Sequence, residues 1–423
     1  MISANNGLRH PYRLLFATFV LLFVFAFFVD SPAAIWNGLV EIFTGRALLV
    51  TDYISVGGLG AALVNAAITG FAALLFVHAI GSAPNGALTM AIFLCAGFSF
   101  FGKTLLNCLP ILAGVWLHAR LKKEPMANYS LVALLSSTLA PVVSEIAFQD
   151  FLPTFAAVLI SIATGIATGI IVPTIAAATT KVHSGYNLYN VGFAGGLIAL
   201  FIQAIYKAFG LSREAELHWS SGNNLPLFIL LLLVCLLWIV VGLYASGPKT
   251  AFNGCRGMMR RSGRLVTDFY LLYGPASFVN MGILGLFATL FTLALSADLN
   301  GGTLVGIFTI MGFGAFGKHL RNCIPVMGGA TIAAFLMPAL HAEPVNICAI
   351  LFCTGLAPIA GQYGWIWGVV AGALHTILIN HISAITGGLN LYNNGFIAGF
   401  VALFLLPVIL ELRKGKTHSE NEV

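Results

Sequence analysis

Lys103 and Lys318 each stand inside strongly apolar sequence, where an ammonium group has little water to hold it. Both belong to the same design: Gly97–Gly114 reads GFSFFGKTLLNCLPILAG, and Gly312–Gly329 reads GFGAFGKHLRNCIPVMGG. Asn107 and Asn322 follow the lysines at matching places, and so do Pro110 and Pro325. A cation, an amide and a Pro/Gly break are what a chain needs to present polar groups at depth in a membrane. The chemistry this implies is recognition. The ammonium draws an anionic or carbonyl-bearing solute, the amide adds hydrogen bonds, and broken helix ends add dipoles. Two tips of this kind would then meet near the membrane midplane. The competing reading has the lysines snorkelling to the membrane surface and the amides joining helices.

A second constellation is Gly185-Tyr186-Asn187-Leu188-Tyr189-Asn190, repeated as Gly388-Leu389-Asn390-Leu391-Tyr392-Asn393. Tyr189, Asn190, Tyr392 and Asn393 would line a polar path. Alternatively the asparagines cap helices and the tyrosines sit at the membrane interface. Glu145 is the one carboxylate of its apolar neighbourhood, matched by Gln362 in the repeat. An intramembrane carboxylate is an ion-coupling candidate, but Glu145 could equally pair with a lysine or lie at the outer interface near Asp150. His375 and His381 occur in one half only and read as hydrogen-bonded packing residues. Asn65 and Asn280 read as cross-links between helices, and Asp52 and Asp268 as caps.

Catalytic signatures are missing: the chain has no GxSxG, HExxH or P-loop, and no GxGxxG in a strand–helix context. The seven cysteines show no close CxxC pairing, so neither a metal site nor a disulfide framework is expected. We therefore expect no enzyme, no catalytic residue, no cofactor and no nucleic-acid partner.

The elements that must position these groups are membrane helices. Of 423 residues, 59% are hydrophobic and 8% charged, and the mean hydropathy is +0.95. Soluble domains carry about 25% charged residues. The net charge of +6 resides mostly in a few loops and the tail, so it reports topology. Residues 12–29 follow Arg9 and Arg13 in the manner of a signal peptide, but their counterpart 226–246 lies mid-chain, so 12–29 is expected to be a retained span.

The duplication covers nearly the whole chain. Asn37-Gly38 returns as Asn253-Gly254, Val50-Thr51-Asp52 as Val266-Thr267-Asp268, and Leu139-Ala140-Pro141 as Leu356-Ala357-Pro358. This divides the chain into transmembrane repeat 1 (1–210), a linker (211–225), transmembrane repeat 2 (226–412) and a cytoplasmic tail (413–423). Apolar segments fall near 12–29, 56–80, 86–101, 104–119, 126–147, 153–180 and 190–206. They return near 226–246, 271–295, 301–316, 319–337, 344–362, 364–384 and 394–410. Segments 86–101 and 104–119 are either two short spans or a re-entrant hairpin with its tip at Phe101-Gly102-Lys103; their shortness favours the hairpin.

Basic residues change sides between the copies. Loop 31–55 has Arg46 alone, and its counterpart has Lys249, Arg256, Arg260, Arg261 and Arg264. Loop 118–124 has Arg120, Lys122 and Lys123, and its counterpart 337–343 has no Lys or Arg. By the positive-inside rule the two copies are oppositely oriented, with both termini cytoplasmic. The expected fold is an all-α integral membrane protein of two inverted-topology repeats, each of about seven apolar segments.

The duplicated Phe-Gly-Lys…Asn-Cys-x-Pro and Asn-Leu-Tyr-Asn pattern resembles a bacterial family of multi-pass membrane proteins known only as a domain of unknown function. That resemblance spans the chain and implies no activity. A weaker one is to the urea transporters, also inverted duplications, which carry Gly-Leu-x-x-Tyr-Asn at pore-lining half-helices. Gly388–Asn393 matches that pattern, and 185–190 matches except for Tyr186. Their Asn-Pro-x-Ser-Gly motif has no clean equivalent here, and seven segments per half is closer to seven-plus-seven nucleobase and anion carriers. The resemblance implies an architecture, and does not extend to urea as substrate.

The expectation is a secondary transporter of the bacterial inner membrane for a small polar or anionic solute, with homo-oligomerisation left open. Its site would gather Lys103, Asn107, Lys318, Asn322, Tyr189, Asn190, Tyr392 and Asn393 between the halves, with Glu145 as coupling candidate. A passive channel of similar build, and a membrane-embedded enzyme or scaffold, are the alternatives.

Overall fold

The computed structural model describes residues 10–47, 51–149, 153–210, 218–337 and 344–420. Val50, Asp150, residues 211–217 of the linker, loop residues 338–343 and tail residues 421–423 lie outside the described residues.

In the first half the helices are α1 (Pro11–Val29), α2 (Pro32–Thr44), α3 (Tyr53–Gly57), α4 (Leu59–Ala79) and α5 (Gly86–Phe98). They continue as α6 (Leu105–Lys122), α7 (Ser130–Ser136), α8 (Ala140–Ala147), α9 (Thr154–Val182) and α10 (Asn190–Ala208). The second half repeats the series. It runs α11 (Asn224–Ser246), α12 (Pro248–Met258), α13 (Phe269–Tyr273), α14 (Ala276–Ala294) and α15 (Gly301–Gly312). Then come α16 (Leu320–Leu336), α17 (Pro344–Phe352), α18 (Ala357–Tyr363), α19 (Trp365–Ile382) and α20 (Asn393–Glu420). Among the described residues no strand occurs, and nine helices are long and apolar enough to cross a bilayer. Four shorter apolar helices accompany them. The protein is a multi-pass helical membrane protein.

Every expected apolar segment coincides with a helix, but two stretches expected to be loops do not stay loops. Residues 31–55 and 249–264 contain α2 and α12. Ser31 caps α2 by accepting from the Ala34 N–H, and Pro32 starts it with a preset φ. Pro248 does the same for α12. The segment 126–147 is a broken helix. Pro141 opens α8 and cannot donate to the preceding turn, so residues 137–139 tighten into a 3₁₀ turn. Pro358 produces the same break at 353–356.

The halves meet along two antiparallel pairings. Helix α5 lies against α15, where the Phe93 and Phe308 rings meet at a tilt, 5.3 Å between centroids. Helices α10 and α20 cross at their starts, where Gly192 packs on Tyr392 and Gly395 on Tyr189. Side chains larger than hydrogen would push this crossing apart: a Cβ on Gly395 would stand 2.8 Å from the Tyr189 Cβ.

Two carboxylates lock the seam reciprocally. Asp52 caps α3 through the Ile54 N–H (2.9 Å) and also accepts from the Gly301 N–H (3.1 Å) at the start of α15. Asp268 caps α13 through the Leu271 N–H (2.8 Å) and accepts from Gly86 (2.8 Å) and Ala87 (3.3 Å) at the start of α5. Each aspartate therefore satisfies helix-end donors of its own half and of the other. Asp268→Ala strands three N–H groups, and an unmet buried donor costs about 1–3 kcal/mol. We expect Asp268→Ala to lower the unfolding temperature in detergent clearly more than Asp268→Asn, measured by thermal unfolding of the purified protein.

Candidate functional site

Each Phe-Gly-Lys turn is built by its own half. Gly102 and Gly317 adopt positive φ (80° and 100°), the left-handed backbone that brings the following lysine round the tip. The Asn65 side-chain N–H₂ donates to Ser99 O (2.6 Å) and Lys103 O (2.9 Å). Asn280 clamps the second turn in the same way, to Gly314 O and Lys318 O, both at 2.8 Å. The expected cross-linking role of these two asparagines is what the structure displays.

Asn107 and Asn322 do not point at a shared space. Each is the third residue of its helix and closes a capping box. Asn107 Oδ1 accepts from Thr104 N at 2.9 Å, and Asn322 Oδ1 from His319 N at 3.0 Å. Their amide N–H₂ groups return to Gly102 O (3.2 Å) and Gly317 O (2.9 Å). These residues hold the lysine turns in shape.

The lysines themselves are fully buried. Lys103 Nζ donates to Ser137 Oγ at 2.7 Å and to Tyr392 OH at 3.4 Å. Lys318 Nζ donates to Thr354 Oγ1 at 2.8 Å and to Tyr189 OH at 2.5 Å. In each case the hydroxyl of Ser or Thr comes from the 3₁₀ break of the same half, and the tyrosine comes from the opposite half. Aromatic faces complete the surroundings. Lys103 Nζ lies 5.3 Å from the Tyr392 ring centroid and 5.5 Å from Phe98. Lys318 Nζ lies 4.6 Å from Tyr189 and 4.7 Å from Phe313. Among the described residues no carboxylate pairs with either lysine.

One expectation is corrected. The two tips do not meet. Gly86, at the start of α5, packs against Ala315 of the second tip, and Gly301, at the start of α15, packs against Phe100 of the first. The tips therefore stand roughly a helix length apart, about 20 Å for the 13 residues of α5. The connection across the seam is made by the tyrosines.

Asn190 and Asn393 face away from the lysines. Asn190 Oδ1 accepts from Thr179 Oγ1 and lies against His183 Nε2, both at 2.8 Å, tying α10 back to α9. Asn393 Oδ1 accepts from Thr386 Oγ1 at 3.2 Å. Glu145 forms a bidentate ion pair with Arg46 and accepts from Gln149 Nε2 at 3.0 Å. Of the residues the sequence proposes, then, the structure joins Lys103 to Tyr392 and Lys318 to Tyr189, and leaves the others in supporting positions. Sequence reading missed Ser137 and Thr354. The available signal was a hydroxyl two residues before each Leu-Ala-Pro.

Groups of His, Cys, Asp or Glu that could hold a metal ion are not found among the described residues. Helices, hydropathy and duplication define the class as a multi-pass membrane protein of two repeated halves. The chain belongs to the family described as Protein of unknown function (DUF1576), whose model matches residues 31–208 and 247–411, one segment in each half. No curated protein and no solved structure matches the chain.

The lysine geometry separates two kinds of role by stability. A buried ammonium is costly, and replacing it by an apolar chain of similar length is often neutral or stabilising. Hydrogen bonds to charged groups contribute about 1.5–3 kcal/mol each. Lys318→Met is therefore expected to leave the detergent unfolding temperature unchanged or raised. The double variant Tyr189→Phe/Thr354→Val, which keeps the charge and removes its oxygens, is expected to lower it by several degrees.

Proposed function

We propose that this protein is a secondary transporter of the bacterial inner membrane, built as an inverted-topology repeat, and that it moves a small polar or anionic solute. One observation carries the reading. Two fully buried lysine amines sit at the seam with no carboxylate partner among the described residues, each touched by a tyrosine of the opposite half. An ammonium has three donors, and the structure gives each lysine two protein acceptors. The third N–H and the uncompensated charge suit a carboxylate, phosphate or carbonyl oxygen. So costly a group inside a membrane suits binding or transport far better than packing.

The supporting geometry is the reciprocity of the seam. Lys103–Tyr392 and Lys318–Tyr189 exchange partners between the halves, as Asp52 and Asp268 do. Relative movement of the halves would change both lysine environments at once, which is what alternating access requires. The broken helices at 137–139 and 353–356 bring irregular backbone to the lysines, the usual way of placing polar groups inside a membrane protein. Glu145 could carry a coupling proton only with opening of its pair to Arg46. The swap of basic residues between loops 118–124 and 249–264 supports opposite orientation of the halves, with both termini in the cytoplasm.

Two measurements test the reading. Proteoliposomes offered acetate, inorganic phosphate and urea should show saturable flux for at least one of them. Lys103→Met and Lys318→Met should each cut that flux about a hundredfold, the effect of losing about 2.7 kcal/mol of contact to a buried charge. Flux that does not saturate would favour a passive channel, and flux that survives both substitutions removes the lysines from the path. Independently, membrane-impermeant labelling of Lys122→Cys and Arg256→Cys should mark both from the cytoplasmic face. Labelling from opposite faces would overturn the inverted repeat.

A further inference from the structure

At one end of the molecule five helices contribute to a cavity of about 400 Å³. Arg260 comes from the end of α12, His319 and Arg321 from the start of α16, Tyr363 and Trp365 from the α18–α19 junction, and Arg413 from α20. Among the described residues no Asp or Glu lines it. The N-terminus of α16 adds its positive dipole end to the three guanidinium groups. Arg321 leans on Met259 O at 3.5 Å. Arg413 donates to Tyr363 O at 3.2 Å, with its guanidinium carbon 5.0 Å from the Tyr363 ring centroid. Carbonyl oxygens and a tyrosine ring are among the contacts that hold these two side chains at the cavity.

This basic cavity continues into a second, apolar one. A groove of about 630 Å³ shares Tyr363, Gly364, Trp365 and Arg413 with it and extends along Ile366, Trp367 and Leu412. Trp365, Ile366 and Leu412 are exposed on the outer face of the helices. The depth of this junction is marked by the chain itself. The candidate spans Val345–Tyr363 and Asn393–Arg413 both end here, at Tyr363 and Arg413. The cationic half of the composite cavity thus lies where headgroups lie, and the apolar half runs back along the spans. The corresponding positions of the first half carry Thr44, Leu106 and Gly210, so the cluster is a property of this end alone.

We infer that the composite cavity holds one anionic phospholipid. Its phosphodiester sits among Arg260, Arg321 and Arg413, and an acyl chain lies along Trp365, Ile366 and Leu412. Guanidinium forks match phosphate oxygens in geometry and charge, and basic pockets between membrane helices at the headgroup level are suited to acidic lipids. The inference does not depend on transport; it needs only that Tyr363 and Arg413 mark the ends of their spans.

The test uses the full chain in non-ionic detergent, with lipid binding read by native mass spectrometry and by thermal unfolding. Phosphatidylglycerol should bind and raise the unfolding temperature, phosphatidylcholine of the same chains should do neither, and glycerol 3-phosphate at equal concentration should have no effect. Arg260→Gln/Arg321→Gln/Arg413→Gln should weaken phosphatidylglycerol binding roughly a hundredfold, and the corresponding triple lysine variant should stay within about tenfold of the parent. Should the glutamine triple not fold, Arg321→Gln alone should still cost about fivefold. Trp365→Ala/Leu412→Ala should weaken phosphatidylglycerol while leaving its preference over phosphatidylcholine intact. Equal binding of the two lipids, or phosphatidylglycerol binding untouched by loss of the arginines, overturns the site. Stabilisation by glycerol 3-phosphate equal to that by phosphatidylglycerol overturns the lipid and assigns the pocket to a soluble phosphate compound.

Discussion

Two lysine amines enclosed by a membrane protein, with no carboxylate partner among the described residues, set the terms for everything around them. An ammonium group removed from water loses several kcal/mol of solvation, and aromatic faces return only part of it. The remainder must come from oxygen atoms placed within hydrogen-bond reach. The structure supplies them from helix breaks, and helix breaks are what a hydrocarbon-embedded chain can least tolerate unless they are buried in protein. The 3₁₀ turns at Ser137 and Thr354, the glycine turns at Gly102 and Gly317, and the capping boxes of Asn107 and Asn322 therefore form one connected solution. Each lysine turn has its backbone clamped by an asparagine from the neighbouring long helix, and its side chain is met by a tyrosine that the opposite half provides.

How much of this was legible follows from how local each feature is. The turns could be read because their residues stand within a few positions of one another and occur twice. The helices could be read because apolar runs of span length have few alternative fates. Asn65 and Asn280 were legible as cross-links because a recurring amide in an apolar helix has little else to do. Ser137 and Thr354 were not, since a hydroxyl in a helix ordinarily bonds its own preceding turn, and both do that here as well. The Lys103–Tyr392 pair spans 289 positions, and nothing local encodes it. The mistaken meeting of the tips arose in the same way. Two matching turns suggest contact, but the antiparallel packing of α5 on α15 places each tip at the other helix's beginning. Helices α2 and α12 were hidden by length and composition, being short, half-exposed and separated from the long spans by a residue or two.

Duplication with exchange of partners ties the two halves together along the seam without making the seam uniform. Asp52 and Asp268 each cap helices of both halves, Asn187 donates to Gly395 O at 2.9 Å, and Asn390 donates to Gly192 O at 3.1 Å. Such bonds can be satisfied only when both halves are in place, so neither half has a complete set of partners alone. The glycines at the α10–α20 crossing matter for the same reason. They let the two backbones approach closely enough for the tyrosines to reach past each other.

The same joint is nevertheless made differently at its two ends. In the second half Gly361 of α18 packs directly on the Ser262 backbone, and no side chain intervenes. The matching positions of the first half are Ser144 and Arg46, and there the joint is the ion pair of Arg46 with Glu145, beside the Asn107–Ser144 bond at 3.0 Å. Backbone packing is indifferent to a proton, whereas an ion pair loses its Coulomb attraction once the carboxylate is protonated. Glu145→Gln removes one charge of that pair and keeps the shape of the side chain. Amide hydrogen exchange should then rise over residues 140–147 in Glu145→Gln while residues 357–363 keep the exchange of the parent protein. Equal protection of 140–147 in parent and variant would mean that the pair does not hold the joint, and would leave Glu145 without a coupling role through Arg46.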